Sequence, residues 1–320
     1  MAHEIMNEQI AYANEVPWHG IGAQLSDSAT PAEFLKAAKL DWTVDLKPLK
    51  ADMGDGEMID IKGRFALIRS SDKKVMTVTG SNWQPLQNAD TLDFMTRYCA
   101  AGGAKMETAG ALRDGQIVWG LARLSHSFEV RPGDKVDGFL LITSPHVVGQ
   151  AIRVRTTTVR VVCANTMALA DNGSELHYRQ SHLTAFDVEA AREAVGNAHE
   201  QLAECERRAK VLDGLKLNME DAVRKVLVPV FAPDIETDSE LIKDIMKADV
   251  MPKKIAEIMD SIENGPGAIA DNGWGVLNGI THWCDHVQGH GAESRMYRSW
   301  IGDYGRNKLK AEELLLQLAS

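Results

Sequence analysis

The chain has 320 residues, enough to bury a sizeable core as one large domain or two modest ones. Its 44% hydrophobic and 25% charged content excludes a disordered or fibrous protein, and a net charge of −10 excludes a surface coated in positive charge. No apolar run approaches the length of a membrane span, and Met1–Gln9 has neither the basic start nor the apolar core of a signal peptide, so a cytoplasmic protein is expected. Cys99, Cys163, Cys205 and Cys284 lie far apart with no CxxC pair. That spacing fits a reducing compartment and argues against a disulfide framework or a cysteine-rich zinc site.

In chain order, Thr30-Pro31-Ala32-Glu33 is a capping box with proline at the first helical position, which predicts a short helix to about Leu40. Asp52–Gly56 carries hairpin-turn chemistry, and strand-like runs follow at Phe65–Arg69 and Lys74–Val78. Ala89–Ala101 has helical spacing and stops at Gly102-Gly103. Strands resume at Gln116–Leu124 and Gly138–Ile142, with a second hairpin turn at Arg113-Asp114-Gly115. This order predicts an α+β fold, an N-terminal mixed sheet with helices packed on one face, followed by a mainly helical C-terminal half. Phe186-Asp187 opens the helical part, with a helix to about Lys210. Further helices are expected at Met219–Val228, Ser239–Lys247, Pro252–Glu263, Trp274–Val287 and Leu309–Leu318. A polar loop at Asp171–Ser174 divides the chain into a sheet domain, 1–173, with a candidate groove, and a helical domain, 174–320, for oligomer or partner contacts.

No acidic residue lies between Asp137 and Asp171, and within that stretch Arg153, Arg155 and Arg160 sit in a run rich in Val, Ile and Thr. Side chains alternate faces along a strand, so Arg153, Arg155 and Thr157 share one face while Arg160 takes the other. A positive edge on a sheet attracts phosphate, and nucleic acid is the commonest polyphosphate partner. The competing reading pairs these arginines with the chain's many carboxylates. Lys105, Arg113 and Arg123 lie on neighbouring elements that could reach the same groove, and Asn165 and Thr166 could add neutral donors. Trp18 and Trp83 are the candidate platforms for bases in a chain with only 6% aromatic residues, although a buried tryptophan anchoring a loop is the commoner outcome.

Five stretches together resemble the phage/plasmid-like protein family, whose domain is of unknown function. They are Pro17-Trp18-His19-Gly20-Ile21-Gly22, Trp83–Ala89, Glu107–Gly115, Arg160–Met167 and Trp274–Thr281. A more distant architectural analogy links this organisation to phage single-strand annealing proteins of the Red-beta and Erf type. The family itself fixes no mechanism; the annealing analogy together with the arginine run suggests a phage- or plasmid-encoded single-stranded DNA-binding protein that promotes annealing or homologous recombination without nucleotide hydrolysis. The same analogy further implies a homo-oligomer, a phage or host recombination partner, no cofactor and no catalysis. An annealing protein holds a strand by its phosphates and leaves the bases accessible, which suits a basic groove with few base-reading contacts. Where the family's last motif is expected to carry a glutamate, this chain has His282.

Two other readings stand beside it. His282 and His286, four apart on a helix with Asp285 adjacent, could ligate a metal in an enzyme acting on nucleic acid or nucleotide. The HExxH pattern fails there, and Gly289 and Gly291 end the helix before His290, so a solvated histidine stripe is favoured over a metal site. Alternatively the acidic helical surface could bind and modulate a host factor. His19, in a loop with no evident partner, Ser144-Pro145-His146 and Gly102-Gly103-Ala104-Lys105 carry no recognisable catalytic or phosphate-cradling pattern.

Overall fold

The computed structural model describes residues 9–13, 22–54, 56–101, 104–160, 166–168, 177–196, 198–247, 251–265, 268, 271–289 and 291–320. Strand β1 (Ile10–Ala13) and β2 (Ala23–Leu25) run parallel and lead into helix α1 (Pro31–Ala37). The Thr30 hydroxyl accepts from the Glu33 N–H while the Glu33 carboxylate accepts from the Thr30 N–H, which closes the capping box. Strands β3 (Val44–Asp52), β4 (Met58–Arg69) and β5 (Val75–Thr79) form a separate three-stranded antiparallel sheet. The β3–β4 turn follows its sequence signature, with Gly54 and Gly56 at φ 92° and 88°.

Helix α2 (Asn88–Ala100) precedes the long meander β6 (Ala104–Leu112), β7 (Ile117–Glu129), β8 (Lys135–Pro145) and β9 (Ile152–Arg160). Arg113, Asp114 and Gly115, all at positive φ, make the β6–β7 turn. Strands β10 (Thr166–Ala168) and β11 (His177–Gln180) both pair with β9. The main sheet runs β10-β9-β8-β7-β6-β1-β2, with β11 beside β10 on the outer side of β9. It therefore continues past the polar loop at 171–174, which lies outside the described residues.

Helices α3 (Val188–Val195) and α4 (Ala198–Gly214) join α1 and α2 on one face of this sheet. Ala191, Val195 and Leu202 from the first pair and Phe34, Leu92 and Met95 from the second share a core with Val118, Ala122, Leu140, Ile142 and Val154. The absence of a side chain at Gly138 admits Leu202 against the sheet. Asp187 caps α3, its carboxylate accepting from the Ala190 N–H.

The rest is helical: α5 (Met219–Ala222), a π-helical turn at Val223–Leu227, α6 (Val228–Phe231), α7 (Ser239–Lys247) and α8 (Lys253–Asn264). Then come α9 (Gly273–His282), a second π-helical turn at Trp283–Val287, α10 (Ala292–Trp300) and α11 (Asp303–Ala319). This half has its own core, built on Val226, Leu227, Ile255, Ile258, Ile280, Trp283 and Leu315 and reaching Phe128 and Val136 at the ends of β7 and β8. The α+β expectation holds, and no described helix is long and apolar enough to cross a membrane.

Helices α8 and α9 meet at backbone distance. A Cβ on Gly279 would lie 2.6 Å from the Ile262 Cα and 2.7 Å from its N, and would also strike the Ile262 side chain. Gly279→Ala must separate two helices or bend one. Overpacking of this kind typically costs about 1–3 kcal/mol, so the urea midpoint should fall. An unchanged midpoint would mean that the helices part freely.

Candidate functional site

Strand β9 lies between β8 on one side and β10 with β11 on the other, so the arginine run is inside the sheet and not along its edge. The ladder registers place its residues in rows across one face. Arg179, Arg153, Thr143 and Trp119 are successive cross-strand neighbours, as are Thr157, Phe139, Arg123 and Lys105. Arg155 sits between the rows, beside Leu141. The sheet thus brings Arg153, Arg155, Arg123 and Lys105 to a single face. The β8–β9 register is unbroken through Arg160, which takes the opposite parity.

Their charges are engaged differently. Arg123 donates to Glu107 at 2.6 and 3.1 Å and to Asp137 at 3.4 Å, so two buried carboxylates neutralise it. Arg155 donates to the carbonyl of Trp300 at 2.7 Å, placing a cation at the C-terminal end of α10 where the helix dipole is negative. Trp300 packs edge-on against Trp119 at 5.0 Å, and Gln150 donates to the Tyr297 hydroxyl at 3.2 Å. One of the sequence-predicted phosphate contacts is therefore a dock for α10. Arg113, at the β6–β7 turn, lies 3.4 Å from the Tyr297 ring centroid in the same docking region.

Arg153 and Arg179 differ. They are directly opposed on β9 and β11, half-buried and exposed respectively, and among the described residues neither meets a carboxylate. Like charges opposed across a ladder repel each other, and an anion between them relieves that repulsion. Lys105 is exposed on the same face. Arg179 was not among the residues suggested by sequence; its signal was only the short alternation of Tyr178-Arg179-Gln180 beyond the expected end of the sheet.

Trp83 cannot be a base platform as it stands. It is 6% exposed and stacks on His182 with ring centroids 4.3 Å apart, so it anchors a loop. Trp18 and Asn165 lie outside the described residues; Thr166 is placed only as a strand position opposite Val159.

The Trp83–Ala89 motif has a structural explanation. Gln87 accepts from the Val44 N–H and donates to the Val44 carbonyl, at 3.0 and 2.9 Å. Asn88 donates to the carbonyls of Leu40 and Trp42 at 2.9 and 3.0 Å, which leaves its amide oxygen to accept from Nε2 of His146 at 2.9 Å. That network sets the tautomer, so the buried Nδ1 of His146 carries a lone pair and no hydrogen-bond partner among the described residues. Burial, with smaller contributions from His182 and Arg69, pushes the His146 pKa down to about 3. His182 donates from Nδ1 to the Gln84 carbonyl at 3.0 Å, and burial lowers its pKa against the opposing pull of the Gln84 and Pro145 carbonyls. The two histidines thus tie the end of β8 and the loop before α3 to the start of α2.

The other enzyme-like signal separates in space. His282 and His286 stack at 5.3 Å, whereas Asp285 is 4% exposed and faces Lys308 at 3.0 and 3.3 Å and the Ser299 hydroxyl. Among the described residues no three His, Cys, Asp or Glu side chains converge as metal ligands. The neighbouring motif is likewise structural, with Trp274 donating to Asp134 at 2.9 Å and Asn272 accepting from the Gly275 N–H at 2.7 Å.

Comparison with protein families matches residues 75–311 to the family described as Domain of unknown function (DUF932). No curated protein and no solved structure matches the chain.

Proposed function

We propose that this chain, which belongs to the DUF932 family, holds the phosphate backbone of single-stranded nucleic acid on the arginine face of its main sheet. In this reading it promotes strand annealing or recombination of a phage or plasmid, as a homo-oligomer in the cytoplasm, without catalysis of its own. The observation that carries the reading is the opposed pair Arg153–Arg179, which has no carboxylate partner among the described residues. Lys105 extends the positive face. Aromatic support is lean, since Trp83 is buried against His182; this favours contacts to phosphate that leave the bases free to pair. The acidic remainder of the molecule limits non-specific adhesion.

The test is fluorescence anisotropy of a labelled single-stranded oligonucleotide at low and moderate salt, beside a duplex of equal length. Wild type should prefer the single strand and weaken steeply with salt. Arg153→Ala with Arg179→Ala should lower the logarithmic salt slope by about 0.7 for each phosphate the protein no longer neutralises. No binding at low salt would overturn the proposal and favour the host-factor reading, which a pull-down with the same protein addresses. Binding with an unchanged slope in the double variant would move the interface elsewhere.

A further inference from the structure

The β3–β4 hairpin outgrows the sheet it belongs to. Strand β5 pairs with β4 only from Phe65 to Ile68, so Met58–Arg64 extends beyond it, with β3 as its one ladder partner among the described residues. Every residue of that stretch is exposed. Ala51 opposes Ile59, and beyond Asp60 the ladder is broken by a bulge in which residues 61–64 stand against Leu49 alone. Ile59 and Ile61, on either side of Asp60, are 46% and 39% exposed and form an uncovered apolar patch. Met53 and Met58 at the tip are 57% and 53% exposed. A two-stranded ribbon is marginal in water alone, and a contiguous apolar patch on one marks a contact surface.

Charge identifies the occupant. Residues 44–69 hold five acidic and five basic residues, so the ribbon is neutral in a chain of net charge −10. The two signs are segregated along its length. Residues 52–60 carry four acidic residues and no basic one, whereas Lys47, Lys50, Lys62 and Arg64 occupy the exposed stem with a single acid, Asp45. Arg69, at the foot of the ribbon, is buried against Asp72 and Asp114. The acidic tip repels nucleic acid. Two ribbons laid side by side and antiparallel put each acidic tip on the other's basic stem, which is the self-complementarity that a twofold interface demands. The Lys50–Asp60 pair within one ribbon, at 3.2 Å, is exposed on both sides and leaves both groups able to face a partner.

We propose that the β3–β4 ribbon is the surface through which two copies of this chain associate, antiparallel, with Ile59 and Ile61 packed at the contact. The inference is independent of nucleic-acid binding, because the ribbon and the Arg153–Arg179 pair are separate surfaces.

Sedimentation velocity of the full chain without nucleic acid, over a range of concentrations, tests it. Wild type should dimerise reversibly. The tip-reversed variant Asp52→Lys/Asp60→Lys and the stem-reversed variant Lys50→Glu/Lys62→Glu should each weaken association at least about tenfold, because like charges then oppose each other. Mixed together, the two variants should form a heterodimer, since each reversed tip meets a reversed stem. Circular dichroism should show both folded, their changes being confined to exposed positions. A wild type that stays monomeric, a dimer that both variants leave intact, or variants that fail to rescue each other would overturn the proposal.

Discussion

Lys308→Met is expected to destabilise the protein by about 3–5 kcal/mol, the usual consequence of removing one partner from a buried ion pair. Lys308 and Asp285 are 3% and 4% exposed, and the ammonium meets both carboxylate oxygens at 3.0 and 3.3 Å. Methionine fills much of the lysine stem's volume, so the loss is mainly electrostatic. Asp285 would then sit in the helical core without that countercharge. The urea midpoint reads the effect. The double variant Asp285→Leu/Lys308→Met should recover most of it, because exchanging a whole buried pair for apolar groups is close to neutral. If the double variant is as unstable as the single one, the site matters for shape and not for charge. Asp285 also accepts from Ser299 on α10, the helix that Arg155 holds against the sheet. Lys308→Met should therefore loosen the cover of the arginine face as well as lower global stability.

The second large effect is with pH. His146 is fully buried, and its pKa falls from the ordinary 6.5 to about 3 in the folded chain. The folded state thus prefers the neutral ring, while the unfolded chain takes up a proton below about pH 6.5. The stabilisation is complete above that pH and is lost as the pH falls toward 3. At about 1.4 kcal/mol for each tenfold difference in proton affinity between the two states, it amounts to several kcal/mol. His182, whose pKa burial also lowers, adds to the loss. Glu312, whose pKa burial raises to about 7, works in the opposite direction over the same range. It is therefore the difference between wild type and a His146 variant, measured between about pH 6.5 and 5, that isolates the histidine. His146→Gln keeps a donor for Asn88 and removes the titration. It should lower stability at neutral pH and flatten the curve in that window. An equally steep curve in the variant would assign the acid sensitivity to other groups.

Elements with local chemistry were legible in the sequence. The Thr30–Glu33 capping box, the Asp187 cap and the two glycine-bearing hairpin turns each act within a few residues, and each stands where expected. Strand β6 was not, because it is buried on both faces from Met106 to Leu112 and shows no alternation. Strand β3 was hidden by Pro48 and its lysines, which an edge strand tolerates. At the candidate site, parity placed Arg153 and Arg155 together correctly. The commitment of Arg155 to a carbonyl 145 residues away, and the burial of Trp83 under His182, depend on packing. No local pattern encodes either interaction. Arg179 was missed because its strand follows a polar loop that reads as the end of the sheet.

The pairing of β1 with β6 also bears on how the chain is made. Ile10 lies opposite Gly110, 100 residues later. At a synthesis rate of about 5–20 residues per second, β1 leaves the ribosome roughly 5–20 s before its antiparallel neighbour. Among the described residues its only earlier ladder partner is the three-residue β2, too short to complete a sheet with it. For that interval Ile10–Ala13, buried in the finished sheet, is an apolar segment in search of a strand. The closing of the main sheet is therefore a long-range, late event, and the nascent chain's exposure to wrong partners ends only when β6 arrives.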